Sequence, residues 1–352
     1  MSIKILLVSP KMEKSNGGIA IWTNTYLEGC ENTEIEPVLV NTSAIGKRAK
    51  NGNAKRNFFD ELIRTKRIFR DLKNKLSAQS FDIAHINTSC GSFGLIRDYL
   101  IAKKIKKKSP KTKIIVHYHC DIPYQIKTKT SKKYLEKLLL LSDKSFVLCE
   151  NSSRYIRESF SVDSIKVPNF VSEKLIPEKS KNTNVSIKKA FFVGRVSLAK
   201  GAKEIFEIAR RFPDIKFELA GNVSTTVMEW QKPDNIILLG LLSHDEVLSK
   251  MDEADIFLFP TYSEGFSMAL AEAMSRGLPA IATDVGANAD MLENKGGTVV
   301  RVGDVDAMQK SIEAMFDVQI RAQMSEWALN KVREKYVTDV VINLFIKEYT
   351  TF

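Results

Sequence analysis

The chain has 352 residues, 44% of them apolar and 9% aromatic. This composition excludes a disordered protein, and the length is sufficient for two hydrophobic cores. Residues 1–170 carry 31 Lys and Arg against 16 Asp and Glu, whereas residues 171–352 carry 22 against 26. The lysines between 103 and 137 fit either a solvated helix surface or contact with an anionic membrane surface, and no motif beside them indicates a nucleic-acid partner.

The N-terminal apolar run, residues 3–8, is interrupted by Lys4 and is too short for the apolar region of a signal peptide. No other run approaches the roughly 20 apolar residues of a membrane span. The sequence therefore predicts a cytoplasmic protein, one that can also lie peripherally on the inner face of the cytoplasmic membrane.

The four cysteines, Cys30, Cys90, Cys120 and Cys149, are about thirty or more residues apart. This spacing excludes a C-x-x-C metal or redox pair. We expect buried, reduced thiols.

Short β-branched runs alternate with helical patterns along the whole chain, which is typical of parallel sheets buried on both faces. The first such region, residues 1–168, predicts a Rossmann-like domain with a helix at 19–27 after the first strand. Two further helices are expected at 60–76 and 131–141. The strands are expected at 3–8, 37–40, 82–87, 113–118 and 145–149.

Residues 169–186 lose this periodicity and contain prolines and a polar stretch, which predicts a linker. A second Rossmann-like domain is expected over 187–335, and a C-terminal helix, 336–352, can pack back on the first domain. The fold class is therefore α/β, with two doubly wound domains facing each other across a cleft. The second set of strands is expected at 188–193, 215–220, 235–239, 255–259, 279–283 and 297–301.

The densest candidate site follows the strand at 255–259. Glu264 would lie at the carboxyl end of this strand, where open α/β sheets bind ligands, and Gly265 lets the backbone approach a ligand closely. The amides of Phe266 and Ser267 would face a phosphate at a helix N-terminus. Glu272 is about two helical turns after Glu264 and is expected on the same face, so both carboxylates can accept hydrogen bonds from sugar hydroxyls. The alternative is one capping glutamate and one solvated glutamate.

A second candidate site follows the strand at 188–193, where Arg195 and Lys200 are spaced to reach one anion. Fixed cations suit a diphosphate because charge builds on it as its bond to a sugar breaks. Arg offers a planar fork and Lys a point charge. Two unrelated surface cations are the alternative.

Both motifs resemble the signatures of the family-four retaining glycosyltransferases, which have the GT-B architecture, over most of residues 187–302. The resemblance implies that Arg195 and Lys200 hold the donor diphosphate without a metal or other cofactor. It also implies that Glu264 contacts the donor sugar and Glu272 the ribose. Asn222 and Leu242 lie in further segments that resemble the family's donor-binding region.

The N-terminal half matches the family more loosely. Gly17 and Gly18 follow the first strand and resemble a glycine loop that approaches the donor phosphates, although a surface turn is the alternative. His119 corresponds to a family histidine beside the donor sugar. His117 points to the same face of the strand and competes with it, and a core histidine is the alternative for either. The residues that resemble an acceptor-side segment are His85, Asn87 and Arg97, with His117 beside them.

The implied reaction is transfer of a sugar from a nucleotide-diphosphate sugar, with UDP the commonest nucleotide in the family. The acceptor would be a glycan or lipid-linked glycan of bacterial surface polysaccharide, such as capsule or lipopolysaccharide. Two alternatives stay open: a nucleotide-sugar epimerase or hydrolase of the same architecture, and a non-catalytic sugar-nucleotide-binding subunit. Asp304 and Asp306 spell the D-x-D metal motif of other transferases, but we interpret Asp304 as a helix N-cap.

Overall fold

The computed structural model describes residues 2–11, 18–46, 57–177 and 184–352, which form two compact units. The first unit contains Met1–Asn169 and Thr338–Phe352, and the second contains Phe170–Val337. Each unit is built on a parallel sheet of six strands with helices packed against it. The α/β class expected from the alternating pattern is confirmed. Within the described ranges, no helix is both long enough and apolar enough to cross a bilayer.

The sheet of the first unit has the spatial order β2-β1-β3-β4-β5-β6. The chain moves outward from β1 to β2 and then returns to place β3 on the other side of β1, so the order reverses between β1 and β3. The third strand is buried along its whole length, as expected for a central parallel strand. The strands are β1 (Ile3–Ser9), β2 (Ile35–Asn41), β3 (Ile83–Thr88), β4 (Lys113–Tyr118), β5 (Lys144–Val147) and β6 (Ile165–Lys166).

Local capping explains where several helices of this unit begin. The side chain of Asn57 accepts a hydrogen bond from the Phe59 amide, and Thr128 and Ser131 form a capping box. The helices are α1 (Gly18–Gly29), α2 (Phe58–Ala78), α3 (Ser92–Lys108), α4 (Ile122–Gln125), α5 (Lys129–Leu141) and α6 (Glu150–Phe160).

The last helix of the chain, Thr338–Thr350, also belongs to the first unit. Its Phe345 is fully buried and lies edge-on to Trp22, with ring centroids 5.9 Å apart. Tyr349 places its hydroxyl 2.9 Å from that of Tyr26 and 2.6 Å from Nδ1 of His85. An apolar contact and a buried polar chain thus join this helix to α1 and β3.

The sheet of the second unit has the order β12-β11-β10-β7-β8-β9, which reverses between β7 and β10. Strands β10 and β11 are buried throughout, whereas β9 at the sheet edge exposes Ile237 and Leu238. The strands are β7 (Lys189–Val193), β8 (Lys216–Ala220), β9 (Ile236–Gly240), β10 (Ile256–Phe259), β11 (Ala280–Thr283) and β12 (Gly297–Val300).

Several helix starts in the second unit are also fixed by side-chain caps. Ser243 and Glu246 form a capping box, and Asp304 accepts from the Ala307 amide at 2.9 Å, which confirms its interpretation as an N-cap. The helices are α7 (Ala202–Arg211), α8 (Thr225–Met228), α9 (His244–Glu253), α10 (Met268–Ser275), α11 (Asn288–Leu292), α12 (Val305–Ala314) and α13 (Val318–Lys335), and Thr338–Thr350 is α14.

One sequence expectation about the first unit is wrong. Cys90 and Cys120 are joined by a disulfide, whereas Cys30 and Cys149 are not part of one. The two bonded cysteines follow the ends of β3 and β4, which pair directly with each other. Neighbouring strand ends bring them together across 30 residues of sequence, a closeness that spacing alone does not show.

Candidate active site

Two loops of the second unit flank the point where its strand order reverses. One loop follows β7 and carries Arg195 and Lys200; the other follows β10 and carries Glu264 and Gly265. Parallel strands end at the same sheet edge, and ligands of open α/β sheets bind where the order reverses. The topology therefore brings both sequence motifs to the same edge.

Lys200 and Glu264 are in direct contact. The ammonium group forms an ion pair with Glu264 Oε1, and the same oxygen lies 3.4 Å from the Thr261 hydroxyl. The Lys200 ammonium also lies 5.9 Å from the ring centre of Phe259 at the end of β10. Both side chains are only partly exposed. A cation and a carboxylate are thus paired at this sheet edge. The cation can bind a phosphate, and the carboxylate can accept a hydrogen bond from a sugar hydroxyl.

Further contacts fix the two loops against each other. The Tyr262 amide donates to the Ala199 carbonyl at 3.0 Å, and the Tyr262 hydroxyl donates to buried Glu204 at 2.6 Å. This bond to Glu204 raises the pKa of Tyr262 to about 12. Gly201 has a φ of 78°, and a Cβ there would overlap the Pro260 carbonyl. Glycine is therefore required for the close approach of the two loops.

The loop after β11 supports Glu264 from behind. A Cβ on Gly286 would lie 2.5 Å from the carbonyl oxygens of both Glu264 and Gly265, and the Ala287 amide donates to the Gly265 carbonyl at 2.9 Å. These contacts hold the backbone of the Glu264 loop between the loops that follow β7 and β11.

Glu272 is paired with a residue that the motif does not contain. Its Oε1 lies 3.1 Å from Nε2 of His244, the first residue of α9. The hydrogen bond to Glu272 raises the pKa of His244 above its usual value. The helical argument that placed Glu264 and Glu272 on one face is wrong, because α10 begins at Met268 and Glu264 lies in the preceding loop.

The other residues predicted on the donor side lie in the loops that follow β7, β8, β9 and β10. Arg195 is exposed, as is Asn222, whose carbonyl accepts from the Val196 amide at 2.9 Å. Leu242 is half-buried just before α9. Phe266 is buried against Tyr336, and Ser267 is the N-cap of α10, accepting from the Leu270 amide.

In the first unit, a chain of polar side chains crosses from β1 to β4 where the strand order reverses. Asn87 Nδ2 donates to the Ser9 hydroxyl at 2.9 Å, and Ser9 lies 2.6 Å from the Thr23 hydroxyl. The Asn87 Oδ1 is 3.1 Å from His119 Nε2. Because Asn87 uses its amide group on Ser9, its oxygen accepts from His119, which assigns the proton of the neutral imidazole to Nε2. Burial lowers the pKa of His119 to about 3.

His85 and His117 lie in the core of this unit. Both rings are fully buried, whereas His119 is partly exposed. Burial lowers the pKa of both, and that of His85 falls to about 3. Direct contact of either ring with an acceptor is not supported, because neither has exposed surface. Their rings pack instead against Trp22, Phe146 and Phe345.

Arg97 and Gly18 are the remaining predicted site residues of the first unit that the structure describes. Arg97 pairs with fully buried Asp98 at 2.7 Å and is itself mostly buried. Gly18 is the first residue of α1, and Gly17 lies outside the described residues.

Residues 174–330 match the family model described as glycosyl transferases group 1. The second unit is a group 1 glycosyltransferase domain. The sequence-based recognition of a family-four type glycosyltransferase is confirmed.

Two of the relatives that match most of the chain are bacterial proteins. An uncharacterized 41.2 kDa protein in the cps region of Klebsiella pneumoniae is 27% identical over 79% of this chain and 82% of its own length. A UDP-Gal:alpha-D-GlcNAc-diphosphoundecaprenol alpha-1,3-galactosyltransferase of Escherichia coli is 24% identical over 78% of each chain. The solved structure of sucrose-phosphate synthase from Thermosynechococcus elongatus covers 99% of this chain and 98% of its own, with a TM-score of 0.75 and 15% identity, and shows the shared fold.

Sequence reasoning missed three residues that contact the candidate site. These are His244, which holds Glu272, and the Tyr262–Glu204 pair, which anchors the Glu264 loop. A signal for His244 was present, because it lies two residues after Leu242, in a segment that resembles the family's donor-binding region. Glu204 carried no signal, since a glutamate in the first turn of a helix is ordinary.

Proposed function

We propose that the chain is a retaining glycosyltransferase that moves a sugar from a UDP-sugar to a glycan or lipid-linked glycan during the synthesis of bacterial surface polysaccharide. The observation that carries the proposal is the Lys200–Glu264 pair between the two loops at the point of strand reversal. A donor that binds there would insert its diphosphate at Lys200 and its sugar at Glu264.

The donor diphosphate would be held by Arg195 and Lys200 without a metal ion or other cofactor. Charge-assisted hydrogen bonds to a phosphate are stronger than neutral ones, contributing about 1.5 to 3 kcal/mol each. These hydrogen bonds stabilise the diphosphate most strongly in the transition state, when the leaving diphosphate gains negative charge. Glu272, oriented by His244, would accept hydrogen bonds from the ribose hydroxyls.

The reaction would retain the configuration at the anomeric carbon. The bond from this carbon to the diphosphate oxygen breaks, and the acceptor hydroxyl attacks from the same face. Its proton passes to the departing phosphate oxygen. In the proposed role His119 lies beside the sugar as a neutral ring, fixed by Asn87.

The acceptor assignment follows the Escherichia coli relative, whose name gives a sugar on diphosphoundecaprenol as its acceptor. An acceptor of that kind is embedded in a membrane by its lipid. The proposal therefore includes peripheral binding at the inner face of the cytoplasmic membrane, which suits the positive charge of residues 1–170.

The first test compares Arg195→Ala and Lys200→Ala with Lys203→Ala. Lys203 is an exposed lysine on α7, three residues from Lys200, and serves as the matched control. Loss of one transition-state contact of about 1.4 kcal/mol slows transfer tenfold. We expect at least this loss in kcat/KM for the first two variants and an unchanged rate for the control. Full turnover in both site variants would refute the assignment.

The same assay separates the alternatives. Nucleotide release that requires a lipid-linked acceptor supports a transferase, whereas release without an acceptor indicates a hydrolase. Product analysis of the donor sugar detects an epimerase. Donor binding without any turnover would indicate a non-catalytic subunit.

A further inference from the structure

Exposed aromatic and aliphatic side chains are concentrated in one part of the first unit. Phe58 and Phe59, at the start of α2, are 76% and 71% exposed, and Leu62 and Ile63 in the next turn are also exposed. Phe93 at the start of α3 is 68% exposed. We call this set the apolar rim; its members are Phe58, Phe59, Leu62, Ile63, Phe93 and Tyr124.

The apolar rim lies at the carboxyl edge of the sheet. Arg64 donates to the Thr42 carbonyl and Lys75 to the Leu39 carbonyl, so α2 runs antiparallel to β2 and begins beyond the end of that strand. Phe93 and Tyr124 likewise lie at the starts of α3 and α4, which directly follow β3 and β4. This is the edge that carries Asn87 and His119.

The exposed face of α2 is apolar near the start of the helix and positively charged further along it. Phe59 and Ile63 are followed at helical spacing by Lys66, Arg70 and Lys73, all exposed. At 1.5 Å per residue, the cations begin about 5 Å beyond the apolar turns. An apolar end followed by cations matches the acyl boundary and the phosphate layer of an anionic bilayer.

The densest run of lysines lies at the opposite edge. Thr112, just after α3, donates to the Phe81 carbonyl, which precedes β3. The lysines at 103–113 therefore gather at the amino edge of the sheet, and α3 alone, with 17 residues, spans about 25 Å. Two of these lysines already have partners within the unit: Lys106 forms an ion pair with Asp143, and Lys104 lies over the ring of Phe69.

We propose that the apolar rim, with the exposed cations of α2, docks the protein on the surface of an anionic lipid bilayer. This inference rests on the proposed function in one respect: a lipid-linked acceptor would then meet the sheet edge that carries His119. The lysines at 103–113 face away from the bilayer in this arrangement.

A second copy of the chain fits this surface less well than a bilayer. A two-fold dimer through the rim would bring Lys66, Arg70 and Lys73 of both copies together, and like charges repel. A bilayer with anionic headgroups neutralises the same cations and accepts the aromatic side chains.

The test uses the full chain with vesicles of phosphatidylglycerol and phosphatidylcholine, and with phosphatidylcholine alone. Phe58→Ser/Phe59→Ser removes the rim, and Leu140→Ser is the matched apolar control, because Leu140 is 74% exposed on α5 away from the rim. Lys66→Glu/Arg70→Glu is compared with Lys107→Glu/Lys108→Glu, which makes the same charge change on α3.

In co-sedimentation, we expect the partition coefficient on anionic vesicles to fall at least tenfold for both α2 pairs and less than twofold for the two controls. Unchanged binding of the α2 pairs, larger losses for the α3 pair, or no binding of the wild type would overturn the proposal. So would a change from dimer to monomer in Phe58→Ser/Phe59→Ser without lipid.

Donor binding and transfer to a water-soluble acceptor analogue are measured on the same variants. These should stay at the wild-type level, which also shows that the variants fold. Loss of vesicle binding with intact transfer in the α2 variants would support the docking proposal and leave the proposed function unaffected. Absence of transfer in a wild type that binds vesicles would contradict the proposed function and leave the docking proposal unaffected.

Discussion

Glu272 is paired with a histidine, so the charge of its partner depends on pH. The hydrogen bond to Glu272 is the main reason that the pKa of His244 is raised, and the charge of Asp245 adds to it. Protonated His244 pairs with the carboxylate at pH values below this raised pKa. As the pH rises through the pKa, the ring loses its proton and the ionic part of the pair disappears.

We expect the pKa of His244, measured by NMR, to lie above 6.5 in the wild type and to fall in Glu272→Gln. Glu253→Gln, at the other end of α9, removes the same charge and should leave this pKa unchanged. An equal fall in both variants would mean that the pairing is not specific.

The sequence predicted that the motif residues follow strands of the second sheet, but it predicted their contact partners only in part. Lys200 and Glu264 follow strands β7 and β10, and adjacency of these strands is a rule of doubly wound sheets. His244, the first residue of α9, meets Glu272 in the middle of α10 across 28 residues of sequence. No local pattern specifies that contact, because it depends on how α9 and α10 pack.

Helix α14 shows how a terminal element is held to a sheet. Phe345 is fully buried among Trp22, Tyr26 and Phe146, whereas Val340, earlier on the same helix, is 36% exposed. Truncation of a buried phenylalanine removes its transfer free energy and leaves a cavity.

We expect Phe345→Ala to lower the free energy of unfolding of the first unit by about 3 to 5 kcal/mol. The control Val340→Ala should cost less than about 0.5 kcal/mol. Urea unfolding is followed by the fluorescence of Trp22 in a Trp230→Phe/Trp327→Phe background, so that the signal reports the first unit. A similar loss in both variants would contradict the packing role of Phe345.

The long helices and strands with a clear sequence period were predictable. The shortest strand and the contacts between residues far apart in sequence were not. The two-residue strand β6 has no period of its own and is defined by pairing of Ile165 with Phe146. Several strands begin or end one or two residues from their expected limits, because the limits depend on hydrogen bonds to the neighbouring strand. The Cys90–Cys120 disulfide was missed for a related reason, since its partners meet only through the pairing of β3 with β4.

At the scale of the whole molecule, the two units differ in how they should respond to acid. Of the chain's four histidines, His85, His117 and His119 are in the first unit and their pKa values are lowered by burial. His244 is in the second unit and its pKa is raised. A folded pKa below the unfolded value of about 6.5 means that the unfolded state binds the proton first. The first unit therefore loses stability as the pH falls from about 6.5 towards 3.

We expect acid to unfold the first unit before the second. For His85 alone, whose pKa is about 3, the loss between pH 7.5 and pH 5 amounts to about 2 kcal/mol. Hydrogen exchange corrected for intrinsic rates should show this as reduced protection in β3, β4 and α14 at pH 5. His85→Gln removes the titrating ring and should shrink the pH dependence, even though it lowers stability at pH 7.5 by breaking the contact with Tyr349. His244→Gln changes a histidine of the second unit and should leave the dependence intact. Equal loss of protection in both units at pH 5 would show that the buried histidines do not control the acid response.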